Sequence, residues 1–120
     1  MERRDRRRVY RTGRHAESSC AWYLRLFGYS ILARGYHTPV GEIDIIARRG
    51  STLAVIEVKA RASLAAAGDA VTPRQRRRVT RAAALFVAHR PDFARLFVRF
   101  DVMLVRPWRL PVHIKDAWRD

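Results

Sequence analysis

Apolar and polar positions alternate with period two over two neighbouring stretches of this chain. From Gly41 to Arg48, Glu42 and Asp44 alternate with Ile43 and Ile45; from Leu53 to Ala60, Glu57 and Lys59 alternate with Ile56 and Val58. That period predicts two strands, and Arg49-Gly50-Ser51-Thr52 between them reads as a tight turn. A hairpin symmetrical about Gly50-Ser51 sets Asp44 opposite Glu57 and Glu42 opposite Lys59. Ile46, Leu53 and Val55 then share the face of Asp44 and Glu57, so the hairpin is apolar on both faces and needs a cover on each.

The flanking segments supply the covers. Thr12 is a candidate cap for a helix from Gly13 to about Phe27, with Gly28 as its stop. Ala16, Cys20, Tyr23, Leu24 and Phe27 form its apolar stripe, and Glu17 falls on the flank, either within reach of the acidic pair or as an exposed acid favoured by the helix dipole. Tyr29 to Tyr36 reads as a strand. Residues 62–71 are small and loop-like, and Thr72-Pro73-Arg74-Gln75 is a strong helix start: threonine caps, proline takes the first turn and glutamine completes a capping box. This helix runs to about His89 with Val79, Ala82, Ala83 and Phe86 inward, and Pro91 closes it. Phe97 to Val105 is a further strand, in which Arg99 and Asp101 alternate with Phe100 and Val102. Val112 to Trp118 is a last strand or a short helix. The order αβββαβ predicts an α/β fold with a mixed central sheet flanked by helices.

Composition narrows the partners. At 120 residues with 48% hydrophobic content the chain suits one globular domain, taken as residues 12–120 behind a basic, flexible arm at 1–11. Lys and Arg number 25 against 11 acids, a net charge of +14, which points to a polyanion such as DNA, RNA or an anionic membrane. Only Lys59 and Lys115 are lysine. Arg74, Arg78 and Arg81 lie at i, i+4, i+7 on the second helix with Arg76 and Arg77 nearby, either a solvated face or a phosphate-binding one; no acid on that helix pairs with them. Trp108 and Trp118 are candidate interface aromatics, although tryptophan is more often core. The single Cys20 excludes an internal disulfide and a cysteine-built zinc cage. No apolar run approaches the roughly 18 residues of a membrane span and no signal peptide is evident, so the cytoplasm is the expected location, with no membrane partner.

Like charges directly opposed across a sheet are destabilising. A hard divalent cation held by oxygen ligands would reverse that cost, with Asp44, Glu57 and the backbone carbonyl of Val58 as ligands. Lys59, two residues after Glu57, would orient a water or neutralise phosphate oxygens; Glu42 would bind the metal or balance Lys59. A plain salt-bridge ladder of Glu42 with Lys59 explains one pair and leaves the other unexplained. A hairpin loop one residue longer or shorter would separate the acids and remove the site.

An acid on the second strand followed by Glu57-Val58-Lys59 on the third, in αβββαβ order, resembles the PD-(D/E)XK nuclease superfamily. More closely, the chain is similar to the YraN-like family of small bacterial proteins from about Gly13 to Val105. The resemblance rests on Gly13-Arg14-His15-Ala16-Glu17, Gly28-Tyr29, Gly41-Glu42-Ile43-Asp44, Val55-Ile56-Glu57-Val58-Lys59, Ala70-Val71-Thr72 and Arg99-Phe100-Asp101-Val102. It implies a restriction-endonuclease-like core related to archaeal Holliday junction resolvases, with Glu17, Asp44, Glu57 and Lys59 as the catalytic set and Glu42 adjoining. Gln75 stands where lysine is common in that family, as a site residue or only a cap, and Ile43 replaces the proline of the superfamily name.

The resulting expectation is a Mg²⁺- or Mn²⁺-dependent endonuclease acting on DNA, with branched or junction DNA the implied target. Arg74, Gln75, Arg77, Arg78 and Arg81 would hold the nucleic acid, and symmetric junction cutting would call for a homodimer. The alternatives are a non-catalytic nucleic-acid-binding protein that keeps the fold, and an RNA-processing factor that would prefer RNA.

Overall fold

The hairpin forms in the expected register. In the computed structural model, which describes the backbone of residues 3–61 and 70–119 and side chains from His15 onward, β2 (Gly41–Arg49) and β3 (Thr52–Ala60) pair antiparallel from Ile45 with Ile56 to Arg49 with Thr52. Gly50 makes the turn possible with φ +59°, a conformation that costs a side-chain-bearing residue more than glycine. On its other edge β2 pairs antiparallel with β1 (Ser30–Thr38) from Gly41 to Arg48. Beyond β3 the sheet continues with β4 (Phe97–Val105), parallel to it, and β5 (Val112–Trp118), antiparallel to β4. The order β1-β2-β3-β4-β5 is a mixed sheet, and the segment in question after Pro111 is a strand.

One helix lies against each face. On one side Cys20 and Leu24 of α1 (Arg3–Leu26) pack with Tyr29, Ile45, Ala47, Ala54, Ile56 and Met103. On the other, Val79, Ala82, Ala83 and Phe86 of α2 (Pro73–Ala88) pack with Ile43, Ile46, Leu53, Val55, Phe100 and Val102. This α/β layering, two helices on a five-stranded mixed sheet, is compatible with the restriction-endonuclease-like core. Among the described residues no helix is long and apolar enough to cross a membrane.

Helix ends follow their local chemistry. The Gly28 N–H donates to the Arg25 carbonyl (3.1 Å) and the Tyr29 N–H to that of Leu24 (3.0 Å), with Gly28 at φ +86°; this is the Schellman pattern, closed by Tyr29 and Leu24 in one apolar cluster. The Thr72 hydroxyl accepts from the Gln75 N–H (3.2 Å), and the Gln75 side-chain oxygen accepts from the Thr72 N–H (3.0 Å). Helix α1 begins at Arg3 rather than at the Thr12 cap, so the backbone of residues 3–11, read as a flexible arm, is helical. Met1 and Glu2, and residues 62–69 of the small-residue loop, lie outside the described residues. Trp118, an interface candidate, is core: it is 7% exposed and stacked on Phe100.

Gly41 sets the distance between α2 and the sheet. A Cβ placed there would meet the Arg78 carbonyl oxygen at 2.6 Å and its carbon at 3.0 Å, and helix backbone cannot swing aside as a side-chain tip can. Gly41→Ala is expected to destabilise the fold by about 1–3 kcal/mol, the usual cost of overpacking, read as a lower midpoint in urea unfolding.

Candidate functional site

At the Asp44 end the β2 pleat slips. Ile43 packs into the α2-side cluster and Ile45 into the α1-side cluster, although residues two apart on a regular strand share a face. The β1–β2 register is even through the Tyr36–Ile43 and Arg34–Ile45 pairs and shifts only between Ile31 and Ala33, whereas the β2–β3 pairs stop at Ile45 with Ile56, next to Asp44. Asp44 therefore does not simply share the face of Ile46, Leu53 and Val55, as strict alternation predicted.

The Asp44 carboxylate instead enters the seam between β2 and β3. The last β2–β3 pair at this end is Ile45 with Ile56, and past it the Val58 N–H donates to Asp44 Oδ2 at 2.8 Å. A strand N–H points sideways in the sheet plane, so the side chain stands where a ladder carbonyl would otherwise be. Glu57 occupies the same seam. It is 7% exposed, and its Oε1 is buried without a hydrogen-bond partner.

Electrostatics follow from this crowding. Burial, and then the Asp44 charge, push the Glu57 carboxyl up to about 8; Lys59 and the Asp44 N–H oppose the rise, and Glu42 adds to it. Burial also raises the Asp44 carboxyl, against the Val58 N–H and Lys59, with Glu42 again adding. Burial, followed by the charges of Asp44 and Glu17, pushes the Cys20 thiol up to about 12. The field of half-buried Glu17 thus reaches the α1 side of the seam. Lys59, half-buried and two residues past Glu57, is the cation of the group. Glu42 is exposed and lies 3.2 Å from His37 Nδ1, a cross-strand partner on β1 in place of the expected Lys59.

The basic helix adjoins this end of the sheet through the Gly41–Arg78 contact. Arg74, Arg77, Arg78 and Arg81 are exposed, and among the described residues none is ion-paired. Positive charge at the positive end of a helix is unfavourable unless an anion offsets it. Gln75 commits its side-chain oxygen to the capping box, and Arg76 donates to the Val71 carbonyl at 3.1 Å, so these two residues serve the helix start.

Asp44 and Glu57 offer hard carboxylate oxygens, one of them buried and unpaired, and the Val58 carbonyl lies between Glu57 and Lys59 on the same strand. That donor set suits a divalent cation of the magnesium type better than a soft metal. Among the described residues, no three His, Cys, Asp or Glu side chains close into a ready-made cage. A magnesium-type ion commonly takes the rest of its coordination from water and other oxygens.

Sequence reading missed a second buried carboxylate. Asp101 is fully buried, and Arg99 grips it with Nε on Oδ1 and Nη2 on Oδ2, both at 2.8 Å. His113 Nε2 lies 2.7 Å from Oδ2, the Asp116 N–H donates to Oδ1 at 3.0 Å, and Arg99 Nη2 also donates to the Tyr29 hydroxyl at 2.7 Å. Burial alone would raise this carboxyl; the hydrogen bonds from His113, Arg99 and Asp116 hold it below the ordinary range instead. Asp101 is satisfied where Glu57 Oε1 is not. The available signal was an acid inside the otherwise apolar run from Phe100 to Val105.

The model of the family described as Uncharacterised protein family UPF0102 matches residues 16–105. A UPF0102 protein of Paramagnetospirillum magneticum is 53% identical over 113 residues, covering 91% of this chain and 88% of its own. One of Parvibaculum lavamentivorans is 53% identical over 111 residues (92% and 84%), and one of Bartonella bacilliformis 47% over 115 (96% and 94%).

The pH dependence of stability tests the seam. Because the folded-state value for Glu57 lies above its ordinary 4.5, the stability it contributes is complete below that value and is lost as pH rises through about 8. Denaturant unfolding without divalent metal should show wild type losing stability across this window. Glu57→Gln should flatten the loss and exceed wild type at alkaline pH by on the order of a few kcal/mol; parallel curves would contradict the buried, strained carboxylate.

Proposed function

Because the chain belongs to the uncharacterised protein family UPF0102, whose description assigns no reaction, we propose its function from its own geometry: a metal-dependent endonuclease that hydrolyses phosphodiester bonds in DNA. The observation that carries this reading is the Glu57 oxygen left buried and unpaired beside an Asp44 carboxylate held across the seam by the Val58 N–H. Two adjoining acids, each raised by burial and Glu57 also by the Asp44 charge, suit a cation as counter-charge.

Asp44, Glu57 and the Val58 carbonyl would hold Mg²⁺ or Mn²⁺. Such an ion, when bound, supplies charge relief on the phosphate and an acidified water. The chain's own residues supply the rest. The Val58 N–H fixes the Asp44 carboxylate, so no reorganisation is needed when the site fills. Lys59 places an ammonium beside the two acids, where it orients the attacking water and offsets charge on the phosphate oxygens. Glu17 on α1, whose charge reaches Cys20, is assigned as a further acid for water positioning, and Glu42 at the rim tunes the charge. Arg74, Arg77, Arg78 and Arg81 bind the backbone of the nucleic acid, a sequence-independent contact. Branched or junction DNA in repair or recombination is the substrate we assign, with a homodimer for symmetric cutting and the cytoplasm as location.

The decisive assay is cleavage of labelled single-stranded, duplex, flap, splayed-arm and four-way-junction DNA with Mg²⁺ or Mn²⁺. Wild type should cut, and Asp44→Asn and Glu57→Gln should each lose at least a hundredfold in rate while binding DNA as tightly as wild type or more so. Tight binding with no cutting of any substrate would favour the non-catalytic reading, and cutting confined to RNA would favour the RNA-processing one.

A further inference from the structure

The connection between β4 and β5, residues 106–111, presents an aromatic ring to solvent at the end of the sheet that bears the carboxylate seam. The parallel β3–β4 register sets Glu57 beside Val102, Lys59 beside Leu104 and Ala60 beside Val105, and the Arg61 N–H donates to the Val105 carbonyl at 3.1 Å. The connection leaves the sheet there, three residues past the Glu57 row, or about 10 Å at 3.3 Å per residue.

Within it Trp108 is 102% exposed. Its backbone sits at φ +60°, a region that bulky residues rarely occupy and that marks functional turns when they do. Among the described residues no other ring or cation covers it, whereas exposed Trp22 has the Arg25 guanidinium over its ring. Pro107 and Pro111 stiffen both sides of the tip, and the Arg109 N–H closes it on the Arg106 carbonyl at 3.4 Å. Arg109, next to the ring in sequence, is exposed, whereas Arg106 on the other side keeps its Nε buried, and no acid occurs from Val102 to Lys115.

We propose that Trp108 is a stacking platform for an unpaired DNA base lying a few nucleotides from the cut. The inference rests on the endonuclease reading and deepens it by naming what is recognised. A rigid exposed aromatic beside an exposed arginine is the kind of arrangement by which proteins engage single strands: the cation, here Arg109, takes a phosphate and the ring takes a base face. In an intact duplex the base faces are already stacked, so the ring has nothing to accept; a flap, splayed arm or junction offers a free face. With 3.4 Å per nucleotide along a strand, the distance from the Glu57 row to the tip corresponds to on the order of three to six nucleotides. Trp108 thereby selects DNA with an unpaired base at that offset, where the α2 arginines select only charge.

The test separates this idea from catalysis. Full-length protein is titrated in EDTA with a splayed-arm DNA carrying a fluorescent adenine analogue at its first unpaired position, beside a duplex of the same sequence and a splayed-arm RNA. Wild type should quench the analogue in the splayed arm and not in the duplex. Trp108→Ala should lose the quenching and weaken splayed-arm binding roughly five- to hundredfold with duplex binding unchanged, and Trp108→Phe should retain most of both. An unchanged melting midpoint in Trp108→Ala shows that the fold persists.

Equal affinities of wild type and Trp108→Ala for the splayed arm would overturn the proposal. So would an equal loss on duplex and splayed arm, quenching confined to RNA, or a Trp108→Ala defect seen only on anionic vesicles. Quenching without cleavage in Mg²⁺ would refute the endonuclease reading alone, and cleavage without quenching would refute the platform alone.

Discussion

Strand β3 is buried without interruption from Leu53 to Glu57, and that constraint shapes what surrounds it. A strand covered on both faces needs neighbours on both edges for its backbone and a helix on each side for its side chains. The neighbours are β2 and β4, and the helices are α1 and α2. The burial then runs one residue further than the apolar residues do, taking in Glu57. A carboxylate within a strand that the fold must bury is desolvated whether or not it has a partner, and the candidate site is the local consequence of the global one.

How the chain manages that strain is visible in the contrast between its two buried acids. Asp101 sits on the same sheet one strand away, and every oxygen it presents is engaged by Arg99, His113 or the Asp116 backbone. These partners come from β4 and β5, and Arg99 passes the connection on to Tyr29 at the start of the first strand. Removing one member of so buried a set leaves a charge without compensation, a loss of about 3–5 kcal/mol. Glu57 has no such set, and Asp44 has a single backbone donor. One acid, in the row of Ile56, ties β4 to β5; the other pair, one row on, is kept under tension.

Much of this was legible in the residues. The hairpin register followed from the symmetry of polar positions about Gly50-Ser51, and the α2 start from Thr72, Pro73 and Gln75, because both are decided by neighbours in sequence. The slip at Asp44 was hidden because it shows only in the helix-side clusters that Ile43 and Ile45 join, an outcome of packing that period-two alternation does not encode. Glu42 found His37 instead of Lys59 because pairing to β1 decided its neighbour. The start of α1 at Arg3 overrode a good capping residue at Thr12, a case of helix propagation outweighing a local stop. The Asp101 anchor joins Tyr29 to residues beyond position 98, a separation that no local pattern encodes. Spacing thus found the pair of carboxylates, and only the fold shows that they share a seam.

Cys20 gives the last consequence. Its thiol is wholly enclosed and pushed up to about 12 by burial and the neighbouring acids, so the thiolate that would attack a disulfide or an alkylating reagent is essentially absent while the chain is folded. With no other cysteine present, covalent linkage between two native copies is closed, and any assembly has to be held by contacts alone. The same inertness is convenient for spectroscopy: a cysteine introduced on the surface can carry a probe by itself, with the native thiol left in place.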